Sequence, residues 1–250
     1  MDSPVRRDWQ LATATLFRQE TARVKSITFE IATWAGHMAG QHVDIRLTAD
    51  NGYQAERSYS IASPAGGAPQ VELTVERVTD GEVSPFLTEE LRTGDTIELR
   101  GPIGGYFAWN PGISSPLMLI AGGSGVVPLM SMLRTRYQGG SKVPAKLLYS
   151  SRSAEDIIYR DELDRLAANR DGFDLVHTLT RGAPAGWQGQ TRRVDRDMVA
   201  ECGFEPADQP QIFVCGPTSF VETVADELVS LGHGELAIKT ERFGPTGDKR

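Results

Sequence analysis

An antiparallel β-barrel followed by a doubly wound parallel α/β sheet is the fold class that this sequence predicts, and three observations carry it. Runs of alternating apolar and polar residues separated by turns fill Gln10 to Arg100. Strand, glycine loop and helix alternate beyond Pro111, and Asn110, Pro111, Gly112, Ser114 and Ser115 cluster between the two regions. A chain of 250 residues is long enough for two domains of ordinary size.

In the first half, Ala22 to Ile31, His42 to Leu47 and Gln70 to Val78 are rich in the residue types that favour strands. Val71, Leu73 and Val75 alternate with Glu72, Thr74 and Glu76, the period of a strand with one buried face. Several such runs without a long helical segment favour a barrel or sandwich. One short helix is expected over Ser84 to Leu91, with Ser84 as its cap, Pro85 in the first helical position and Glu89 and Glu90 facing solvent. In the second half, Pro116 to Ala121, Ala145 to Ser150, Phe173 to Leu179 and Gln211 to Cys215 read as compact apolar strands. Val126 to Tyr137, Arg160 to Asn169 and Ser219 to Leu231 read as helices, the last with Phe220, Val221, Val224, Leu228 and Leu231 on one face. Strand and helix in alternation imply a parallel sheet covered on both sides.

Composition narrows the function. There are 26 Lys and Arg against 33 Asp and Glu, a net charge of −7, with no basic run of the kind a nucleic-acid backbone needs. The apolar run around Pro116 to Ala121 falls far short of a membrane span, and mixed polar sequence follows Arg6, Arg7 and Asp8 where a secretory signal would place its apolar core. A cytoplasmic protein is expected. Cys202 and Cys215 are the only cysteines, too few for an iron–sulfur cluster, and the four histidines lack the paired spacing of a zinc site. No metal is expected.

The strand Leu119 to Ala121 runs directly into Gly122, Gly123, Ser124 and Gly125, and a helix follows at once. Glycines there permit a tight turn and let a diphosphate approach the amide-rich start of the helix. The spacing is not the standard dehydrogenase fingerprint and no P-loop lysine follows, so by itself this loop reads equally as a structural turn. In the barrel half stands Arg57, Ser58, Tyr59, Ser60, and near the C-terminus Cys215, Gly216, Pro217. Together with Gly122 to Pro128 these segments resemble the ferredoxin–NADP reductase superfamily, in family order and across nearly the whole chain.

The resemblance implies an FAD-binding barrel over residues 1–112 and an NAD(P)-binding domain over 113–250. Arg57 would pair with the flavin diphosphate, with Ser58 beside it on the same strand. Tyr59 would stack on the flavin ring, and Ser60 would hydrogen-bond the ring nitrogen that takes the hydride. Gly81, Val83 and Ser84 resemble the second diphosphate-binding stretch, and Gly101 to Gly105 the glycine turn near the end of the barrel. Gly122, Gly123, Ser124 and Gly125 would cradle the nucleotide diphosphate. Cys215, followed by Gly216 and Pro217, sits where the superfamily places a residue beside the nicotinamide; a lone Cys is equally a buried apolar residue. Glu241, Arg242, Phe243 resembles the acidic-x-aromatic ending, with Glu241 in a polar or proton network. Because the chain continues to Arg250, Phe243 reads either as a shield for the flavin or as plain core packing.

At the end of the second parallel strand, where NAD-selective enzymes carry an acidic residue, this chain has Ser150, Ser151 and Arg152. Two hydroxyls and a guanidinium suit a phosphate, so NADPH is favoured over NADH. Arg192 and Arg193 are further phosphate candidates or solvated charges, and Tyr159 either stacks on adenine or starts a helix. The expected function is a stand-alone reductase that passes a hydride from NAD(P)H to FAD and then single electrons to a separate acceptor, a ferredoxin or an oxygenase component. The alternatives are a flavin, quinone or ferric reductase with a diffusible acceptor, and a non-catalytic electron-relay subunit.

Overall fold

The computed structural model describes residues 8–244. Its first half is a six-stranded, wholly antiparallel sheet built from β1 (Gln10–Thr21), β2 (Val24–Glu30), β3 (His42–Thr48), β4 (Gln54–Ser60), β5 (Gln70–Glu76) and β6 (Thr96–Ile103). The spatial order is β4-β3-β6-β1-β2-β5. The ends close on each other: Ile61, just past β4, bridges to Leu73, and the Ala62 amide donates to the Glu72 carbonyl at 2.8 Å. Closure removes the exposed sheet edges and wraps Ile27, Phe29, Val43, Ile45, Val71, Leu73 and Leu99 into one fully buried core.

Two local expectations change here. The strand expected from Ala22 starts at Val24, because residues 22 and 23 form the turn joining β2 to the long strand β1, a turn without a Gly, Pro or Asn to announce it. The helix expected from Ser84 is one α-helical turn, α1 (Val83–Pro85), passing into a π-turn at Phe86–Glu90. Ser84 lies inside it and does not cap it: the hydroxyl faces back and accepts from the Val78 amide at 3.0 Å, while Glu82 occupies the cap position. Gly101 to Ile103 belong to β6, so the glycine turn itself begins at Gly104, where φ is +94°.

The second half is a parallel five-stranded sheet of β7 (Leu117–Gly122), β8 (Ala145–Ser151), β9 (Phe173–Leu179), β10 (Gln211–Pro217) and β11 (Ile238–Phe243), in the order β11-β10-β7-β8-β9. Alternate residues divide between two cores. Leu119, Ala121, Tyr149, Phe213 and Cys215 pack with α2 (Val126–Gln138) and α3 (Arg160–Ala168) on one face. Met118, Ile120, Leu148, Ile212 and Val214 pack with α4 (Arg196–Cys202) and α5 (Thr218–Ser230) on the other. The chain winds outward from β7 to β9 and then returns to the other side of β7 with β10. That reversal opens a crevice between the C-terminal ends of β7 and β10, the place where such sheets bind ligands.

The polar segment between β6 and β7 is held by both halves. The Trp109 amide donates to the Ala39 carbonyl at 2.9 Å, and the Tyr106 hydroxyl donates to the Ile238 carbonyl at 3.2 Å. Among the described residues no helix is long and apolar enough to cross a membrane.

Candidate functional site

The crevice between β7 and β10 is built from glycines because backbone meets backbone there. A Cβ on Gly125 would lie 2.1 Å from the Cys215 carbonyl oxygen, a distance no side chain tolerates. Gly122 and Gly216 face each other across the two strands, and the Phe220 ring is seated on both: a Cβ at either position would come within 3 Å of that ring. Gly123 differs, with φ at +56° and open space where a Cβ would point. The loop therefore turns tightly and leaves its outer side free, a surface that backbone amides at the start of α2 can offer to an anion. Ser124 ties this loop to the barrel by donating from its hydroxyl to Glu76 at 2.8 Å, and Glu76 in turn pairs with Arg23 at 2.7 Å.

A cleft opens from this loop. Gly122, Gly123, Ser124, Ser150, Ser151, Arg152, Pro217, Phe220 and Phe243 line it, with Arg23 and Glu76 from the barrel. It continues into a second hollow lined by Arg152, Thr180, Arg181, Arg193, Ser219 and Thr223. Ser150 and Ser151 are buried at the end of β8, while Arg152, Arg181 and Arg193 are exposed and form no ion pair among the described residues. Arg192 is different: its guanidinium holds Asp195 at 2.8 Å and Gln190 at 2.7 Å, which occupies it within its own loop. Tyr159 does not stand in the cleft either. It is 3% exposed and its hydroxyl donates to Thr74 of the barrel, so it is an interface residue and no platform for adenine.

Cys215 and Glu241 are paired in register on neighbouring strands. Their side chains share a face, since parallel neighbours in register point the same way. Burial and the nearby Glu241 carboxylate push the Cys215 thiol well above its ordinary value, which keeps it a neutral thiol. Burial likewise pushes Glu241 up to about 7, and its Oε2 is buried with no partner among the described residues. A half-neutral carboxyl with an unsatisfied oxygen can donate or accept a proton near neutral pH. Phe243, two residues past Glu241 and in register with Pro217, packs partly buried against the core that includes Cys215 and also lines the cleft.

On the barrel, Arg57, Ser58, Tyr59 and Ser60 follow one another along β4, beside the start of α1. The Arg57 guanidinium is exposed, has no carboxylate within 4 Å among the described residues, and donates to the Glu56 carbonyl at 2.7 Å. Ser58 is committed elsewhere, donating to Asp44 at 2.6 Å. Tyr59 is half-buried against the barrel core, and burial raises its phenol. Gly81 precedes α1; Val83 and Ser84 are buried, and the Ser84 hydroxyl accepts from the Val78 amide, which leaves its own proton to donate. Across from Ser60 stands His42, whose ring burial keeps neutral.

Sequence reasoning passed over Arg181, Glu76, Arg23 and Phe220. Arg181 had a signal, being two residues past β9 at the same sheet end as the glycine loop. Glu76 and Arg23 had none, because they approach the loop from the other half of the chain.

Residues 11–108 match the family model of the oxidoreductase FAD-binding domain and residues 119–226 that of the oxidoreductase NAD-binding domain. Ferredoxin–NADP reductase B of Sorangium cellulosum is 37% identical over 224 residues, covering 86% of this chain and 87% of that protein. NADH-cytochrome b5 reductase 1 of Emericella nidulans is 32% identical over 201 residues, 78% of this chain but only 64% of that longer protein. Among solved structures, the FAD/NAD binding domain of nitric oxide dioxygenase from Vibrio cholerae superposes with a TM-score of 0.83 at 24% identity, covering 96% of this chain and all of that one. At that identity the likeness speaks to the fold.

Two outcomes follow. Gly125→Ala forces backbone apart at the crevice and is expected to cost about 1–3 kcal/mol, lowering Tm by roughly 2–12 °C; a thermal melt checks it. Because the folded value of Glu241 is raised above its unfolded value, its contribution to stability is present below pH 4.5 and is lost as pH rises through about 7. Glu241→Gln is therefore expected to gain stability over wild type at pH 8, by on the order of 1–3 kcal/mol, and to gain nothing at pH 4. Paired melts at the two pH values decide it.

Proposed function

The chain belongs to the ferredoxin–NADP reductase superfamily of FAD- and NAD(P)-dependent oxidoreductases, and from that premise we propose that it is a reductase that prefers NADPH and serves a separate one-electron acceptor, a ferredoxin or an oxygenase component. When bound, nicotinamide supplies electrons as a hydride and flavin hands them on singly, the conversion such an acceptor requires. The residues fit both groups. Arg57 is free to meet a diphosphate, Tyr59 offers a half-buried aromatic face, and Ser60 ends the same strand with no side-chain partner among the described residues. The outer side of the Gly122–Gly125 turn is open to a second diphosphate. Ser58, bonded to Asp44, and Ser84, bonded to Val78, would support the site by holding its backbone.

Within that reading, Cys215 offers a small neutral side chain over which a planar ring can lie close. Glu241 would hold or release a proton at the buried oxygen beside it. Phe243 and Pro217 would cover the cleft and exclude water.

The preference for NADPH rests on one observation: three arginines without an ion pair among the described residues, Arg152, Arg181 and Arg193, line the hollow beyond Ser150 and Ser151. A 2′-phosphate would be the anion to satisfy them. The names of the relatives point both ways, one to NADP and one to NADH. Arg152→Ala is expected to weaken NADPH by roughly 1.5–3 kcal/mol while sparing NADH, a loss of selectivity of about tenfold to a hundredfold. Steady-state kcat/KM with each nucleotide measures it, and equal loss with both would refute the phosphate assignment.

The overall reading is tested by anaerobic mixing of FAD-loaded protein with NADPH and NADH, followed by a screen of ferredoxins, quinones and ferric chelates as acceptors. Ser60→Ala is expected to retain FAD and slow flavin reduction by on the order of tenfold. Stopped-flow absorbance checks both, and a wild type that no nicotinamide reduces overturns the proposal.

A further inference from the structure

The two halves of the site lie on different cores, so something must fix how the flavin strand faces the nucleotide loop. One face of α2 does so by direct bonds. This helix starts at Val126, immediately after the Gly122–Gly125 turn, and its residues 131, 134 and 135 lie on one side by helical spacing. The Ser131 hydroxyl donates to the Ser63 carbonyl at 2.6 Å, and the Thr135 hydroxyl accepts from the Ala65 amide at 2.8 Å. Between them, Arg134 donates through Nη1 to the Ala62 carbonyl at 2.9 Å. Residues 62–65 are the segment that leaves β4 directly after Ser60. The helix that carries the nucleotide loop is thus bonded, at three positions on one face, to the backbone that carries the flavin strand.

Arg134 does more than its two neighbours. The same Nη1 holds Glu72 of β5 at 2.6 Å, while Nε and Nη2 grip both oxygens of Glu162 on α3 at 2.9 and 2.7 Å. Its side chain is 10% exposed, and its guanidinium lies 5.0 Å over the ring of Tyr159. Glu72 is also where the barrel closes, since its carbonyl accepts from the Ala62 amide. One planar cation therefore joins the barrel seam, α2 and α3. Lysine has a point charge and cannot span the bidentate carboxylate and the carbonyl at once. Breaking a buried charge set of this kind leaves carboxylates without a partner, which biases the two halves toward separation.

Resting on the reductase reading above, we propose that Arg134 is a positioning residue: with Ser131 and Thr135 it rivets α2 to residues 62–65 and so sets the distance at which the nicotinamide half of the site meets the flavin half. It touches no reacting atom. Its effect should fall on the approach of the two rings and leave the binding of each cofactor intact.

The test compares wild type with Arg134→Lys, which keeps the charge, and Arg134→Met, which removes it. Three measurements are made: dissociation constants for FAD and NADPH, stopped-flow flavin reduction at saturating NADPH together with the long-wavelength absorbance of the flavin–nicotinamide complex, and amide hydrogen exchange of the 62–65 segment in protein without added nucleotide. In Arg134→Lys, exchange at Ala65 is expected to rise about tenfold or more. The absorbance of the complex should fall and the limiting rate drop by roughly tenfold to a hundredfold, with both dissociation constants within about threefold of wild type. Faster exchange with an unchanged rate and unchanged absorbance would make the cluster a purely structural clamp and overturn the proposal. No change in any of the three overturns it as well. Should Arg134→Met fail to fold, Arg134→Lys alone decides. A wild type that neither nucleotide reduces defeats the functional reading and this proposal with it, and is recognised without any variant.

Discussion

Everything at the site is arranged around the contact of Gly125 with the Cys215 carbonyl. With no room for a Cβ between them, the start of α2 lies directly against the end of β10. That contact sets the glycine turn beside the strand end that carries Cys215, with Glu241 in register on β11. Phe220 completes the arrangement by resting on Gly122 and Gly216, so the two neighbouring strand ends share a single aromatic lid. Larger residues at these positions would separate β7 from β10 and widen the crevice that the reversal of strand order creates.

The charges divide by burial. Arg152, Arg181, Arg193 and Arg57 stand exposed without acidic partners among the described residues, where they cost little to keep and can meet an anion in solvent. Arg134 and Arg136 are buried, and each is matched: Arg134 by Glu72 and Glu162, Arg136 by Asp171 at 3.0 Å. A buried cation must be satisfied by the fold itself, whereas an exposed one can await a ligand. Glu241 is the exception: among the described residues its buried Oε2 has neither cation nor hydrogen bond. It resolves this by titrating near neutrality.

Periodicity made most of the fold legible. The alternation of Val71, Leu73 and Val75, and the single apolar face of α5, each state which side is inside, and that is a property a short stretch of sequence carries by itself. Less legible were β11 and α4, which lack a long apolar run, and the hairpin at residues 22–23, which turns without a turn residue. The cap at Ser84 misled because a serine before a proline has the composition of a helix start, while the hydroxyl found the Val78 amide first. Tyr159 stood open between a stacking aromatic and a helix start; it is the residue at which α3 begins, and only the packed barrel shows that the ring is already covered.

From its residues alone the chain determined two halves of different architecture, the glycine loop at a strand end, the Arg57–Ser60 and Cys215–Pro217 segments, and the basic end of β8. Those are local patterns, set by neighbours within a few positions. Tertiary structure alone decided that Ser124 reaches Glu76, that Cys215 lies beside Glu241, that Arg181 joins Arg152 and Arg193, and that Arg134 bonds the two halves together. Each of these joins residues from separate elements, most of them dozens of positions apart. Contacts at that separation are fixed by closure of the barrel and by the strand order of the parallel sheet, neither of which is written in any one segment.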